Sequence, residues 1–272
     1  MGNVQRPEYD STPSPSVEEP DWMSNLDDKT SLAELSIVGT NHSVGLTGGD
    51  AVQTQAWTLD KQLRAGVRAI DIHVRHHYDD LVIYVGNVSQ SQTYKEVEDT
   101  CIEFLKENPS EFILLSVQKD IEELEPHART YYNEIKFRAD QQAMYYWKNS
   151  GMPTVGQVRG RIVLIGNLAC GIPGQYIISS PEISCPTLFQ LQSSWNAQKQ
   201  HLSQRFPKSN VRNTIVSASS PGVFPYSAAR NLNEWFMNDM ALFEMPLGLI
   251  WFNFPGTALI NKIIRLNSFC KN

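Results

Sequence analysis

The chain has 272 residues, of which 41% are hydrophobic and 19% charged, and its formal net charge is −6. A core of this size suits one α/β barrel or two modest domains, and the acidic balance argues against a nucleic-acid partner. The sequence contains no apolar run long enough to cross a bilayer and no signal-peptide-like start.

The cysteines predict a reduced, cytoplasmic protein. They are far apart in sequence and form no CxxC pair, so metal-ligand spacing is absent and buried reduced thiols are the plainer interpretation. The four are Cys101, Cys170, Cys185 and Cys270.

Residues 1–20 are polar and rich in proline, a composition that predicts a disordered tail before a single domain over 21–272. The start Met1-Gly2-Asn3 matches an N-myristoylation signal in part, because Arg6 stands where Ser or Thr is usual. Acylation of Gly2 would make the cytoplasmic protein a peripheral membrane protein.

Short apolar runs alternate with amphipathic stretches in the rest of the chain. One predicted helix places Val97, Cys101, Phe104 and Leu105 on one face and ends before Asn108-Pro109. Another helix ends at Gly66, which fits a left-handed cap. The predicted strands are Leu35–Val38, Ala69–Val74, Leu81–Tyr84, Phe112–Val117, Arg161–Ile165, Thr214–Ala218 and Leu249–Phe252.

These strands predict an α/β fold, a distorted TIM-type (β/α) barrel with mostly parallel strands in a single domain. Runs such as FILLSV and RIVLIG are apolar at consecutive residues, as strands covered on both faces are. The functional site of such a barrel lies at the carboxyl ends of its strands. The side chains to consider there include those that follow or end the predicted strands: Asn41, His42, Asp71, His73, Gln118, Lys119, Asn167 and Asn253.

Six ordered blocks then resemble the small single-barrel form of the phosphatidylinositol-specific phospholipase C X-domain family, from Trp22 to Pro255. They read SIVGTNHS, QLRAGVRAIDIHV, LVIYVG, FLKENPSEFILLSVQKD, MPTVGQVRGRIVLIG and GLIWFNFPG. The resemblance implies a distorted TIM barrel that cleaves the phosphodiester of phosphatidylinositol. One histidine would take the proton of the inositol 2-hydroxyl and a second would protonate the departing diacylglycerol oxygen. An Arg, or a calcium ion in some relatives, would neutralise the phosphate.

Residue by residue, this chain departs from the family's pattern. Asn41 stands in the slot of the first histidine, and His42 follows it in an acidic slot. Val85 precedes Gly86 where the family has His-Gly, and valine can neither give nor take a proton. Asn253 replaces the aspartate that orients the first histidine, and His73 replaces the Arg.

We therefore predict a catalytically inactive pseudoenzyme with no cofactor and no bound metal. The retained pocket would comprise His42, Asp71, His73, Lys119 and Asn253. The partner would be an inositol phospholipid headgroup bound in this pocket, or a membrane surface. A protein partner of unknown kind is a further interpretation, and nucleic acid is excluded as above.

Two alternatives stay open at this point. The protein would be an active phosphoric diester hydrolase if His42 and His73 served a rearranged site, for instance through a one-residue slip that moves His42 into the slot of Asn41. His42, Asp71 and His73 would also form a two-histidine, one-carboxylate metal site if their side chains meet, because Asp71 and His73 share one face of a strand. A satisfied polar cluster is the competing interpretation of the same three residues.

Overall fold

The computed structural model describes residues 3–77, 80–120, 130–166, 168, 171–180, 187–218 and 223–270. Residues 269 and 270 are described by their backbone alone. Its strands are β1 (Ser36–Thr40), β2 (Ala69–His77), β3 (Asp80–Val85), β4 (Val88–Thr93), β5 (Ile113–Lys119), β6 (Ile162–Ile165), β7 (Ile177–Ser179), β8 (Val211–Val216) and β9 (Gly248–Phe252). The predicted positions of Asn167, Cys170 and Cys185 lie outside the described residues, as does Gly2.

The α-helices lie between and after these strands. They are α1 (Leu59–Arg64), α2 (Tyr94–Glu107), α3 (Tyr131–Gln141), α4 (Val155–Val158), α5 (Leu188–Leu202), α6 (Pro225–Asp239) and α7 (Thr257–Leu266). Within the described ranges, no helix is both long enough and apolar enough to span a membrane.

Seven parallel strands form the sheet in the order β6-β5-β2-β1-β9-β8-β7. The strands β3 and β4 extend β2 as an antiparallel hairpin. Among the described residues no ladder joins β6 to β7, so the ring of strands is open at that point. The predicted distorted TIM-type barrel is confirmed, and the two strands that the sequence analysis missed, β4 and β7, are respectively polar and three residues long.

Two layers of core explain why the strands are apolar on both faces. Ile37, Leu114 and Leu249 belong to a cluster inside the barrel, with residues of the chain's N-terminal part beneath them. Their neighbours Val38, Leu115 and Ile250 belong to a second cluster that includes the helices outside. Successive residues of a strand therefore alternate between the two layers.

The predicted helix around Cys101 is confirmed as α2. Thr93 and Glu96 form a reciprocal capping box at its start, and Val97, Cys101, Phe104 and Leu105 are all buried. The predicted left-handed glycine after α1 is also confirmed, because Gly66 has φ +108°.

The N-terminal segment differs from the expected disordered tail over residues 3–20. Tyr9 is 1% exposed and packs edge-on against Tyr226, with ring centroids 5.1 Å apart. The backbone amide of Asp10 donates to the carbonyl of Phe254 at 3.2 Å. Average composition predicted disorder, but one buried aromatic ring and specific backbone hydrogen bonds dock this segment against the turn after β9.

Candidate functional site at the barrel mouth

A cavity of about 450 Å³ opens at the carboxyl ends of the parallel strands. Inward-facing positions of six strands supply much of its wall, because alternate residues of each strand point into the barrel. Polar side chains among the lining residues include Asn41, Asp71, Ser116, Gln118, Lys119 and Asn213. A cavity of this size and lining suits a small polar ligand.

Asp71 is the anionic centre of this wall and is 5% exposed. Its Oδ1 accepts a hydrogen bond from Gln118 Nε2 at 2.9 Å, and its Oδ2 accepts one from the backbone amide of His42 at 3.2 Å. The backbone of Asp71 is held by Ser43, whose Oγ accepts from the Asp71 amide at 2.9 Å. The loop after β1 is thereby fastened to β2.

His42 and His73 both turn a ring nitrogen toward Asp71 Oδ2. The distances are 3.5 Å from His42 Nδ1 and 3.6 Å from His73 Nε2. The two imidazole rings meet edge to face, with centroids 4.3 Å apart. His42 has φ +43°, in the left-handed region that histidine tolerates better than most residues.

The charges of this cluster are coupled. Burial alone would raise the pKa of Asp71, but its interactions with the imidazoles of His42 and His73 hold that pKa well below its usual range. For His73, burial opposes protonation, yet hydrogen bonding to Asp71 and the charges of Asp71 and Asp120 raise the net pKa. The cluster therefore contains a carboxylate that stays ionised and an imidazole that binds a proton more readily than usual.

Asn41 lies beside this cluster and does not join it. Its Nδ2 donates to Asn253 Oδ1 at 3.3 Å, and its carbonyl accepts from Gln55 Nε2 at 2.9 Å. Asn253 is 1% exposed, and its own carbonyl accepts from Asn233 Nδ2 at 3.0 Å. The positions expected to hold a histidine and its orienting acid are thus in contact here, as a pair of amides.

Val85 ends β3 and is 7% exposed. Its side chain lies beside Gly45, where an added Cβ would come within 3.2 Å of Val85 Cγ2. An apolar, close-packed side chain therefore occupies the position at which the sequence analysis expected a proton donor.

The structure distributes the predicted site residues over three places. Asn41, Asp71 and Lys119 line the cavity. His42 and His73 contact Asp71, whereas Asn253 supports Asn41 from within the core. For the alternative of a one-residue slip of the loop, the relevant contact is that Asn41, and not His42, donates to Asn253 in the structure.

Among the lining residues that sequence reasoning missed are Asn213 and Trp251. Trp251 Nε1 donates a hydrogen bond to Asn213 Oδ1, and Asn213 Nδ2 donates to Ser179 Oγ at 2.9 Å. Strand parity was the available signal, since Trp251 is two residues before Asn253 on the inward face of β9. Asn213 lay one residue before the predicted start of its strand.

The three residues His42, Asp71 and His73 also have the composition of a metal site. One ligand atom from each lies within 4.8 Å of the other two. Two imidazoles and one carboxylate are a ligand set used by zinc and by non-haem iron. The predicted meeting of these side chains is therefore present in the geometry.

Comparison with known proteins gives a consistent relationship. Residues 36–167 match the family model described as phosphatidylinositol-specific phospholipase C, X domain. A 1-phosphatidylinositol phosphodiesterase of Listeria monocytogenes is 27% identical over 289 residues, covering 93% of this chain and 87% of that protein. A protein of the same name from Staphylococcus aureus is 30% identical over 172 residues, which cover 58% of this chain and 53% of that protein.

Solved structures show the same fold. The phosphatidylinositol-specific phospholipase C of Listeria monocytogenes superposes with a TM-score of 0.75 at 24% sequence identity. The superposition covers 92% of this chain and 98% of the Listeria chain. A mutant of the Staphylococcus aureus enzyme has a TM-score of 0.78 at 19% identity, with 90% and 96% covered.

Proposed function

The chain belongs to the phosphatidylinositol-specific phospholipase C X-domain family, and from that premise we propose that it binds a phosphorylated inositol in the barrel mouth without cleaving it. The observation that carries the proposal is the replacement of the acid–base machinery beside a cavity that stays open. Asn41 and Asn253 form an amide pair, and Val85 is packed and apolar. The cavity nevertheless measures about 450 Å³, and its wall includes the polar side chains of Asp71, Gln118 and Lys119.

The rate argument supports binding without turnover. A general acid or a general base each contributes about 10²- to 10⁴-fold to a rate. Neither an amide nor a valine can do this work at neutral pH, because neither titrates there. Losing both groups removes most of the acceleration, although such losses are not additive.

The alternative, turnover by His42 and His73, has a geometric obstacle. In phosphoryl transfer the attacking and leaving oxygens lie roughly in line on opposite sides of phosphorus, so an acid and a base must reach opposite sides. The rings of His42 and His73 are 4.3 Å apart at their centroids, and both face the same Asp71 oxygen. No phosphodiester fits between rings that touch each other.

Lys119 is the cation that supports recognition of the phosphate. It lines the cavity at the end of β5 and its side chain is exposed to solvent. A charge-assisted hydrogen bond to phosphate contributes about 1.5 to 3 kcal/mol, or roughly 10- to 100-fold in affinity.

Calorimetric titration with myo-inositol 1-phosphate tests the proposal, and vesicles containing phosphatidylinositol distinguish a lipid headgroup from a soluble ligand. We expect saturable binding that Lys119→Glu weakens by about 10- to 100-fold. The matched control is Lys95→Glu, on the outer surface in α2, where Lys95 forms an exposed ion pair with Asp99. Absence of saturable binding at millimolar ligand contradicts the headgroup proposal.

A parallel assay for release of inositol phosphate from phosphatidylinositol tests the absence of turnover. We expect none above a buffer blank. Turnover that disappears in His42→Ala would instead establish the rearranged hydrolase.

A further inference from the structure

We infer that His42, Asp71 and His73 bind one divalent transition-metal ion of the zinc class at the edge of the barrel-mouth cavity. The inference concerns the protein without its organic ligand and does not depend on the proposed function.

Two distances within the cluster are long for hydrogen bonds and match the spacing of ligands on one metal ion. A hydrogen bond between nitrogen and oxygen measures about 2.7 to 3.2 Å. The ring nitrogens lie 3.5 and 3.6 Å from Asp71 Oδ2. Two ligands each about 2.0 to 2.2 Å from a tetrahedral metal stand about 3.3 to 3.6 Å apart, so these separations match ligands of one ion.

The hydrogen bonds around Asp71 also suit a metal. Its Oδ1 is oriented by Gln118 Nε2 at 2.9 Å, while Oδ2 faces the two imidazoles. Metal-binding carboxylates are commonly held in this way by a neighbouring hydrogen-bond donor. His42 Nδ1 is a buried polar atom without a hydrogen-bond partner in the described structure, although it faces Asp71.

The ligand types select the class of ion. Calcium and magnesium prefer oxygen ligands in sets of six or more, whereas imidazole suits zinc, iron, cobalt, nickel and copper. Three protein ligands also leave a coordination position for water or another ligand. Asp71 belongs both to the cluster and to the cavity wall, so the ion would add positive charge beside the cavity.

Metal binding can be measured directly on the protein after chelation and buffer exchange. Calorimetric titration with Zn²⁺ is expected to show one site, and titration with Co²⁺ is expected to give visible absorption typical of four- or five-coordinate cobalt. His42→Ala, His73→Ala and Asp71→Asn should each weaken Zn²⁺ binding by more than about 100-fold, because outer-shell losses alone reach that range.

His77→Ala is the matched control. His77 lies on the same strand, is exposed, and is outside the three-residue cluster. This control tests whether surface histidines bind Zn²⁺. The His77→Ala variant should bind Zn²⁺ with the same affinity as the unaltered protein. Circular dichroism verifies that each variant is folded.

The unaltered protein with Cu²⁺ provides a measurement that needs no variant. Its electron paramagnetic resonance spectrum is expected to show coupling to two imidazole nitrogens. The inference is overturned by a spectrum without nitrogen coupling, by Zn²⁺ affinity that His73→Ala leaves unchanged, or by Ca²⁺ binding as tightly as Zn²⁺. In those cases the cluster is an ion pair between Asp71 and protonated histidine.

Discussion

Restoring the missing acid and base should give this barrel measurable phosphodiesterase activity. The variant is Asn41→His with Asn253→Asp and Val85→His. Asn41 Nδ2 and Asn253 Oδ1 are already 3.3 Å apart, so an imidazole N–H and a carboxylate at these positions would be within hydrogen-bonding reach after small adjustments. The pair would supply an oriented general base, and the histidine at position 85 would supply the acid.

The expected magnitude follows from the roles of the two groups. Each contributes about 10²- to 10⁴-fold, so adding Val85→His to the two-site variant should raise the rate by that factor. The rate of the three-site variant should stay below that of a complete enzyme, because His73 provides a positive charge that is weaker than that of an arginine and depends on pH. The close packing of Val85 against Gly45 also limits the histidine's freedom.

The assay is release of inositol phosphate from phosphatidylinositol vesicles, with the two-site variant and Val85→His alone as controls. Thermal unfolding shows that each variant is folded, and titration with myo-inositol 1-phosphate shows that the cavity still binds. A folded three-site variant that binds the ligand but cleaves no faster than Val85→His alone would refute the reasoning. The cavity would then differ from a catalytic one in more than these positions.

Three further predictions concern the fold away from the site. Arg68→Met should lower the free energy of unfolding by about 3 to 5 kcal/mol in urea denaturation, because it leaves the buried Glu111 carboxylate without its partner; Arg64→Ala, in an exposed ion pair, should cost less than about 1 kcal/mol, and equal losses would contradict the distinction. Tyr9→Ala should cost about 3 to 5 kcal/mol and speed proteolysis of the N-terminal segment, whereas unchanged stability would indicate that this segment is undocked. Burial and the nearby Arg212 lower the pKa of His201 in the folded protein, so the unfolded chain binds a proton at His201 more readily. The contribution of His201 to stability should therefore fall as the pH drops below about 6.5. His201→Gln should flatten the pH dependence of the melting temperature, and an identical pH profile would contradict this prediction.

Strand periodicity predicted the barrel and part of the site because both depend on local alternation. Asp71 and His73 were expected on one face of β2. In the structure both contact His42, and they contact each other. The same alternation continues through Ser116 and Gln118 on β5. Residues that a strand turns inward near its carboxyl end are therefore predictable once the strand's bounds are known.

Features that depend on distant parts of the chain were not predictable in the same way. β4 is an edge strand with the sequence VSQSQT, so no buried face imposes an apolar pattern on it. The docking of Tyr9 depends on Tyr226 and Phe254, more than 200 residues away. The contact between Asn41 and Asn253 likewise joins the first and last strands of the chain, and only the closed part of the barrel brings them together.

Two adjacent residues in the loop after β1, Asn41 and His42, have different chemical surroundings. Asn41 continues the inward alternation of Ile37 and Gly39 and meets Asn253, whereas the left-handed turn at His42 directs that side chain to Asp71. A histidine at position 41 would face Asn253 in the turn after β9; a histidine one residue later faces a carboxylate and a second imidazole. Because a single-residue displacement changes the neighbours so completely, His42 cannot substitute for a base at position 41 without rebuilding the turn. The same turn is what assembles the proposed metal ligands, so a chain that keeps His42 there favours binding of an ion over proton transfer to a substrate.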